Sequence, residues 1–213
     1  MKYRTGALLF LAVCAAAAAA PLSAETVRNH FDSDALMRPP GFFDFVVVGS
    51  APARWLVLDD PNPPSAPFRL VQVETKRPGD AIAIAVRRRY AFEDGTVTTY
   101  LKRGGSQAGL VLRMTGEKDF VTLLVDTRTG DVRLLSYRDG HATELGRGKA
   151  EFVSAWEKFG VVAAGPSLKV TYNDRPLFEA RDPKPAAGKT GLAAAGPGDA
   201  SFDEFILEFD AKS

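Results

Sequence analysis

The sequence predicts an all-β domain, a sandwich or jelly roll of two antiparallel sheets. Three observations predict it. Short apolar runs alternate with period two, which points alternate side chains to opposite faces of a strand. Gly, Pro, Asp and Asn punctuate those runs at the spacing of turns. Beyond the first two dozen residues no amphipathic helical pattern intervenes, which argues against α/β architectures.

The chain opens on an export signal. Lys2 and Arg4 form a positive start, Gly6 to Ala20 is apolar and uncharged, and Pro21-Leu22-Ser23-Ala24 offers a small residue before Glu25. Residues 1–24 are therefore read as a helical signal peptide, which implies a periplasmic or secreted protein. The apolar run of about 15 residues falls short of the ~20 that a spanning helix needs, so no transmembrane segment is expected after cleavage. Cys14 is the only cysteine. A lipoprotein signal would place Gly, Ala or Ser before it, and Val13 stands there instead, so acylation is not expected. Cleavage removes Cys14 and leaves a chain with neither a disulfide nor a thiol nucleophile. It also leaves 25 Lys+Arg (27 less Lys2 and Arg4) against 26 Asp+Glu, a net charge of −1. That balance gives no electrostatic footprint for nucleic acid. The run Arg87-Arg88-Arg89 is read as a solvated strand edge rather than a phosphate site.

Residues 25–41 read as an N-terminal arm, polar and closed by Pro39-Pro40, and residues 42–213 as one β-sandwich domain. Phe42 to Val48 is the first strand candidate and Trp55 to Leu58 the second. Asp59-Asp60-Pro61-Asn62-Pro63-Pro64 must then be a surface loop, because proline cannot sit in a central strand. Phe68 to Thr75 follows. In Ala81 to Arg87, Ile82, Ile84 and Val86 face one way and the alanines the other. Thr96 to Lys102, Gly109 to Arg113, Phe120 to Asp126 and Val132 to Tyr137 continue the alternation, with Thr129-Gly130-Asp131 and Arg138-Asp139-Gly140 as turns. Phe159 to Ala163, Leu168 to Tyr172, Leu177-Phe178, Gly191 to Ala195 and Phe202 to Phe209 complete the series. No fixed-period repeat is present, which excludes a propeller or solenoid.

Several short motifs resemble one superfamily. Gln107-Ala108-Gly109-Leu110-Val111-Leu112-Arg113 is similar to a strand pattern of Gly, apolar residues and a closing Arg. Trp156 precedes the hairpin Leu168 to Leu177. Asp182, Gly188 and Gly191-Leu192 follow in order, and Ser201-Phe202-Asp203-Glu204-Phe205 resembles a closing strand. Together these resemble the concanavalin A-like lectin/glucanase superfamily, most closely the 3-keto-disaccharide hydrolase-type, laminarin-type jelly roll. The resemblance spans roughly Phe31 to Phe209. It implies two curved antiparallel sheets with a concave ligand face, and an early Phe31-Asp32 segment near Phe202 to Phe209. The superfamily holds glycan binders and glycosidases, so the fold alone fixes no activity. Asp119-Phe120-Val121 stands where the family has Asn-Tyr-Tyr, and thus lacks an amide and a phenol that could meet a sugar.

The catalytic patterns tested are incomplete. Glu117-Lys118-Asp119-Phe120-Val121-Thr122 lacks the last carboxylate of the Glu-x-Asp-x-x-Glu strand that laminarinase-type glycosidases use. A Ser-His-Asp unit would need His30 or His141, and neither has a nucleophile motif nearby. Zinc ligands do not cluster. Structural calcium on Asp59-Asp60-Pro61-Asn62 has no loop register to support it. Gly188-Lys189-Thr190 resembles the end of a phosphate loop without its glycines or its βαβ setting. No catalytic residue, metal or cofactor is therefore assigned. The expected function is glycan binding; a glycoside-acting enzyme using acids such as Asp119 or Asp182, and a protein-binding envelope domain, are the alternatives. The candidate ligand residues are Arg113, either on the concave face or paired internally with Asp126 or Glu144, and Trp55, either stacking on a sugar or in the core. Tyr100, Tyr137, Asp119 and Asp182 complete the set.

Overall fold

The computed structural model describes residues 24–50, 52–73 and 81–210. Residues 1–23 of the expected signal peptide and the end of the Phe68–Thr75 strand candidate lie outside the described residues. Among these, no helix is long and apolar enough to cross a membrane.

The first eight strands are β1 (Ala24–Asn29), β2 (Phe43–Val48), β3 (Trp55–Asp59), β4 (Phe68–Gln72), β5 (Ile82–Arg87), β6 (Gly95–Lys102), β7 (Gln107–Gly116) and β8 (Asp119–Asp126). The rest are β9 (Asp131–Arg138), β10 (His141–Lys149), β11 (Trp156–Ala164), β12 (Ser167–Tyr172), β13 (Arg175–Arg181), β14 (Lys189–Ala195) and β15 (Ala200–Asp210). Sheet one runs β13-β12-β11-β6-β15-β4-β3, with β1 also paired to β15; sheet two runs β10-β9-β8-β7-β14-β5-β2. Every pairing is antiparallel.

The two sheets pack through a core that draws Val97, Val161 and Leu207 from sheet one and Leu110, Leu123 and Leu192 from sheet two. Close strand approach makes some glycines obligatory. A Cβ on Gly109 would lie 1.9 Å from the Leu123 carbonyl oxygen, far inside van der Waals contact.

The residues read as an arm contribute a strand to the sandwich. Ala24 to Asn29 pairs with Asp210 to Phe205 along β15, and Phe31 is 2% exposed beside Phe43. Arg87 departs from its expected place. It is buried, with its guanidinium over the Phe42 and Tyr90 rings at 4.8 and 5.5 Å and bonded to the Asn29 side chain and the Phe42 carbonyl. Stacking on two rings offsets the cost of burying that cation.

Gly109→Ala is expected to destabilise the fold by roughly 3 kcal/mol or more. Gly116→Ala, where the added Cβ meets nothing within 4 Å, should stay within about 0.5 kcal/mol of wild type. Denaturant unfolding of the two variants measures the difference.

Candidate functional site

Cross-strand partners share a face, so register assigns each residue of sheet two to the core side or the outer side. The outer side carries Ile82, Ile84 and Val86 of β5, Ala193 and Ala195 of β14, Val111 of β7, and Phe120 and Leu124 of β8. These form a second apolar cluster, and Ile84, Val111 and Phe120 have no exposed surface. The centre of this face is filled and aliphatic, with no polar group poised for a sugar hydroxyl.

Polar groups gather at one end of the same face. Gly109, Leu124, Arg133 and Arg147 lie in one register row across β7 to β10, and Gln107 opposes Asp126 in the next outward row. All of these but Gly109 border a cleft of about 430 Å³, completed by Asp131, Val132 and Gly148. A bulge between Glu144 and Gly146 makes the row possible. Without its extra residue, Arg147 would oppose Val132 and point at the core. The Arg133 Nη2 lies 3.4 Å from the Gln107 Oε1, and Arg147 donates to both Glu144 oxygens at 2.6 and 3.1 Å. Asp126 accepts the Arg128 and Thr129 amides of the β8–β9 turn. Asp131 accepts from Lys149 and Thr129, bonds that hold its carboxyl below the usual range.

The cleft thus offers guanidinium and amide donors beside carboxylate acceptors over a leucine floor. Its charges balance, Arg133, Arg147 and Lys149 against Asp126, Asp131 and Glu144. That suits a neutral polyol better than a phosphate. The depressed Asp131 pKa runs opposite to what a general acid requires.

The sequence-predicted residues do not converge on this cleft. Trp55 is 3% exposed, 5.6 Å from the Phe202 ring and 6.1 Å from that of Phe45, so neither ring face is free to stack on a sugar. Arg113, at a positive φ of 52° where β7 loses its regular register against β8, is 1% exposed and engaged within the protein: it meets Asp182 at 3.1 Å, Asp94 at 3.4 Å, the Glu93 carbonyl at 2.8 and 2.9 Å and the Gly165 carbonyl at 2.6 Å. Its partner is neither Asp126 nor Glu144. Asp182 is fully buried and takes a second guanidinium, Arg138, at 2.9 Å. Asp119 accepts the Asp139 amide of the β9–β10 turn. Tyr137 stacks on Phe120 at 4.4 Å and 9°, leaving at most one ring face for a ligand. Tyr100 is on sheet one, opposite Lys158 and Asp203. Trp156 is buried, with the Lys102 ammonium 5.6 Å from its ring centre.

Other chemistries can be placed as well. Asp60, the buried carboxylate of the proline-rich loop, is held by Arg69 and Lys102, so its oxygens already have cationic partners. Among the described residues, no group of three His, Cys, Asp or Glu could hold a metal ion. His30 bonds Glu204 at 2.6 Å, while the Ser65 hydroxyl donates to Asp32, so that cluster contains no serine–histidine pair. Beside it, burial pushes Asp203 up to about 7 against the Ser65 and Glu204 amides, with the Glu204 and Asp32 charges adding to the rise.

No family model matches the chain, and no curated protein is similar to it. Solved structures are similar. The carbohydrate-binding module CBM66 from Bacillus subtilis has a TM-score of 0.59 at 18% identity, over 78% of this chain and 97% of that one. A GlcNAcα1-4Gal-releasing endo-β-galactosidase from Clostridium perfringens has 0.56 at 12%, over 91% and 66%. The exoplasmic/lumenal domain of VIP36, in its Ca2+/Man3GlcNAc-bound form, has 0.56 at 15%, over 84% and 88%. The fold is a concanavalin A-like jelly roll. At these identities the likeness extends to the fold and no further.

Asp182→Ala removes the one fully buried carboxylate that pairs with Arg113, leaving it Asp94 at 3.4 Å, and is expected to cost about 3 kcal/mol in denaturant unfolding. For Asp203, the folded state holds a proton that the unfolded carboxyl releases near its ordinary value of 3.8. Stability should therefore fall as pH rises from about 4 to about 7, by at most roughly 1.4 kcal/mol per pH unit, and level off above. Asp203→Asn should flatten that part of the stability–pH curve.

Proposed function

We propose that this chain is an exported, non-catalytic glycan-binding domain that holds its ligand in the Gln107–Arg133–Arg147 cleft. The observation that carries the reading is the charge-balanced set of donors and acceptors over Leu124, on the outer face of sheet two. The fold adds support, because structures that share it include a carbohydrate-binding module and a Man3GlcNAc-bound lumenal domain. Export rests on the leader pattern of residues 1–24, and a cut before Glu25 leaves all of β1 except its first residue. The 3-keto-disaccharide hydrolase type of activity fits less well. Asp119 and Asp182, its candidate acids, serve a turn and a buried ion pair.

A second reading, a domain that docks another protein, is favoured by the exposed Phe42 and Phe45 at the β2 side of sheet two. The two readings differ in what the cleft contributes. With no aromatic ring in the cleft, glycan affinity is expected in the millimolar range, about −4 kcal/mol. Isothermal titration with Man3GlcNAc and with a GlcNAcα1-4Gal disaccharide should detect such binding for at least one of them. The Arg133→Ala/Arg147→Ala double variant should weaken it about tenfold or more while Tm moves by less than about 2 °C. Absence of binding by wild type would set aside the glycan reading in favour of the second.

A further inference from the structure

The outer face of sheet two is covered, although no described strand covers it. Ile84, Val111, Phe120 and Ala193 have no exposed surface, and Ile82 and Val86 keep 2% and 1%. All fifteen strands belong to the two sheets, and sheet one lies on the core side. The loop from Asp182 to Gly188 is held at the strand ends, by Arg138 on the Lys184 carbonyl and by paired bonds to Phe92. An antiparallel sheet with one face in water carries polar residues there. This face carries isoleucine, valine and phenylalanine instead.

The cover must then come from outside the described residues, where one segment has the chemistry for it. Ala51 is a single residue, residues 74–80 read Glu-Thr-Lys-Arg-Pro-Gly-Asp, and residues 211–213 read Ala-Lys-Ser. None of these can shield an aliphatic face. Residues 6–20 can: they are apolar and uncharged, and Ala15 to Ala20 are six consecutive residues of the strongest helix former.

The face fits such a helix in both dimensions. Its floor is small, made by Gly109 of β7 and by Gly191, Ala193 and Ala195 of β14. Ile82, Ile84 and Val86 wall it on β5, and Phe120 and Leu124 on β8. From β5 to β8 is three strand spacings, about 14 Å, against ~10–12 Å for a helix with its side chains. Along the floor, β14 runs seven residues, about 22 Å, and residues 6–20 span ~22 Å as a helix. The entry point agrees. Glu25 opposes Phe209, whose ring meets Tyr90 at 5.8 Å, just past the Val86 end of β5. A helix entering there carries Lys2 and Arg4 toward the far end of the floor, where Asp126 lies across Gln107 from Ala195.

We propose that residues 6–20 pack as a helix along the outer face of sheet two, so that the chain's own leader shields an apolar groove which its removal opens. The contact does not depend on any ligand in the Gln107–Arg133–Arg147 cleft.

The uncleaved chain, made without export, tests this through its single cysteine, Cys14, near the middle of the run. With Ala193→Cys on the groove floor, a short bismaleimide should link the two cysteines within one chain. The yield should exceed that of Val162→Cys, on the outer face of sheet one, by about tenfold or more. Equal yields would overturn the proposal. A leader variant, Leu8→Arg/Leu11→Arg/Val13→Arg, leaves the sandwich untouched and keeps the test independent of how Ala193→Cys folds. Uncovering the face should raise the fluorescence of the apolar-surface dye ANS about fivefold or more over wild type. A wild-type chain that already binds ANS as strongly as this variant would equally contradict the shielding.

Discussion

Sheet two is apolar on both faces, and only one of them meets sheet one. That constraint governs much else in the molecule. The inward alanines and leucines of β5, β7, β8 and β14 close against sheet one. The outward Ile84, Val111, Phe120 and Leu124 fill the face where this fold class was expected to hold its ligand. A sugar needs polar groups it can bond without leaving buried donors and acceptors unpaired. The aliphatic centre supplies none, and the polar groups are displaced to the β8–β10 end of the sheet.

Buried polar residues on this scaffold serve as its fasteners. Asp182 ties Arg113 on β7 to Arg138 at the end of β9, while Arg113 also grips the carbonyls of Glu93 and Gly165. Glu157 acts similarly at the opposite sheet. Burial raises its pKa, but bonds from Asn173, Ser154 and the Val153 amide outweigh that effect and hold it below the usual range. Together they bind the loop before β11 to the β12–β13 turn. Each fastener fixes loops that period-two packing alone leaves free. Breaking one would strand a charge in the interior, a large penalty against the marginal stability of a single domain.

How much of this was legible in the sequence depended on whether a strand had a core face. β5 to β9 were readable because alternation of Ile, Leu and Val against small or polar residues is the pattern of a half-buried strand. β1 and β10 were not. β1 (AETVRN) buries chiefly Val27, and every residue of β10 is exposed or intermediate, so neither leaves a hydrophobic period. The cleft was missed for the same reason. Arg133 alternates out of an apolar strand and could have been found, but Arg147 reaches it only through a bulge whose sequence trace is Gly146. Trp55 and Arg113 show the converse failure: residue type suggested a ligand, while the chemistry of aromatic and guanidinium groups serves equally well inside a protein.

The central claim is that ligand recognition on this jelly roll has moved from the middle of sheet two to its β8–β10 end. Chemical-shift mapping of the isotopically labelled protein with Man3GlcNAc at millimolar concentration tests it most directly. Perturbations should concentrate on Gln107, Leu124, Arg133 and Arg147, with the amides of Ile84, Val111 and Ala193 unmoved. Shifts centred on those three residues, or on Tyr100 across the sandwich, would contradict it.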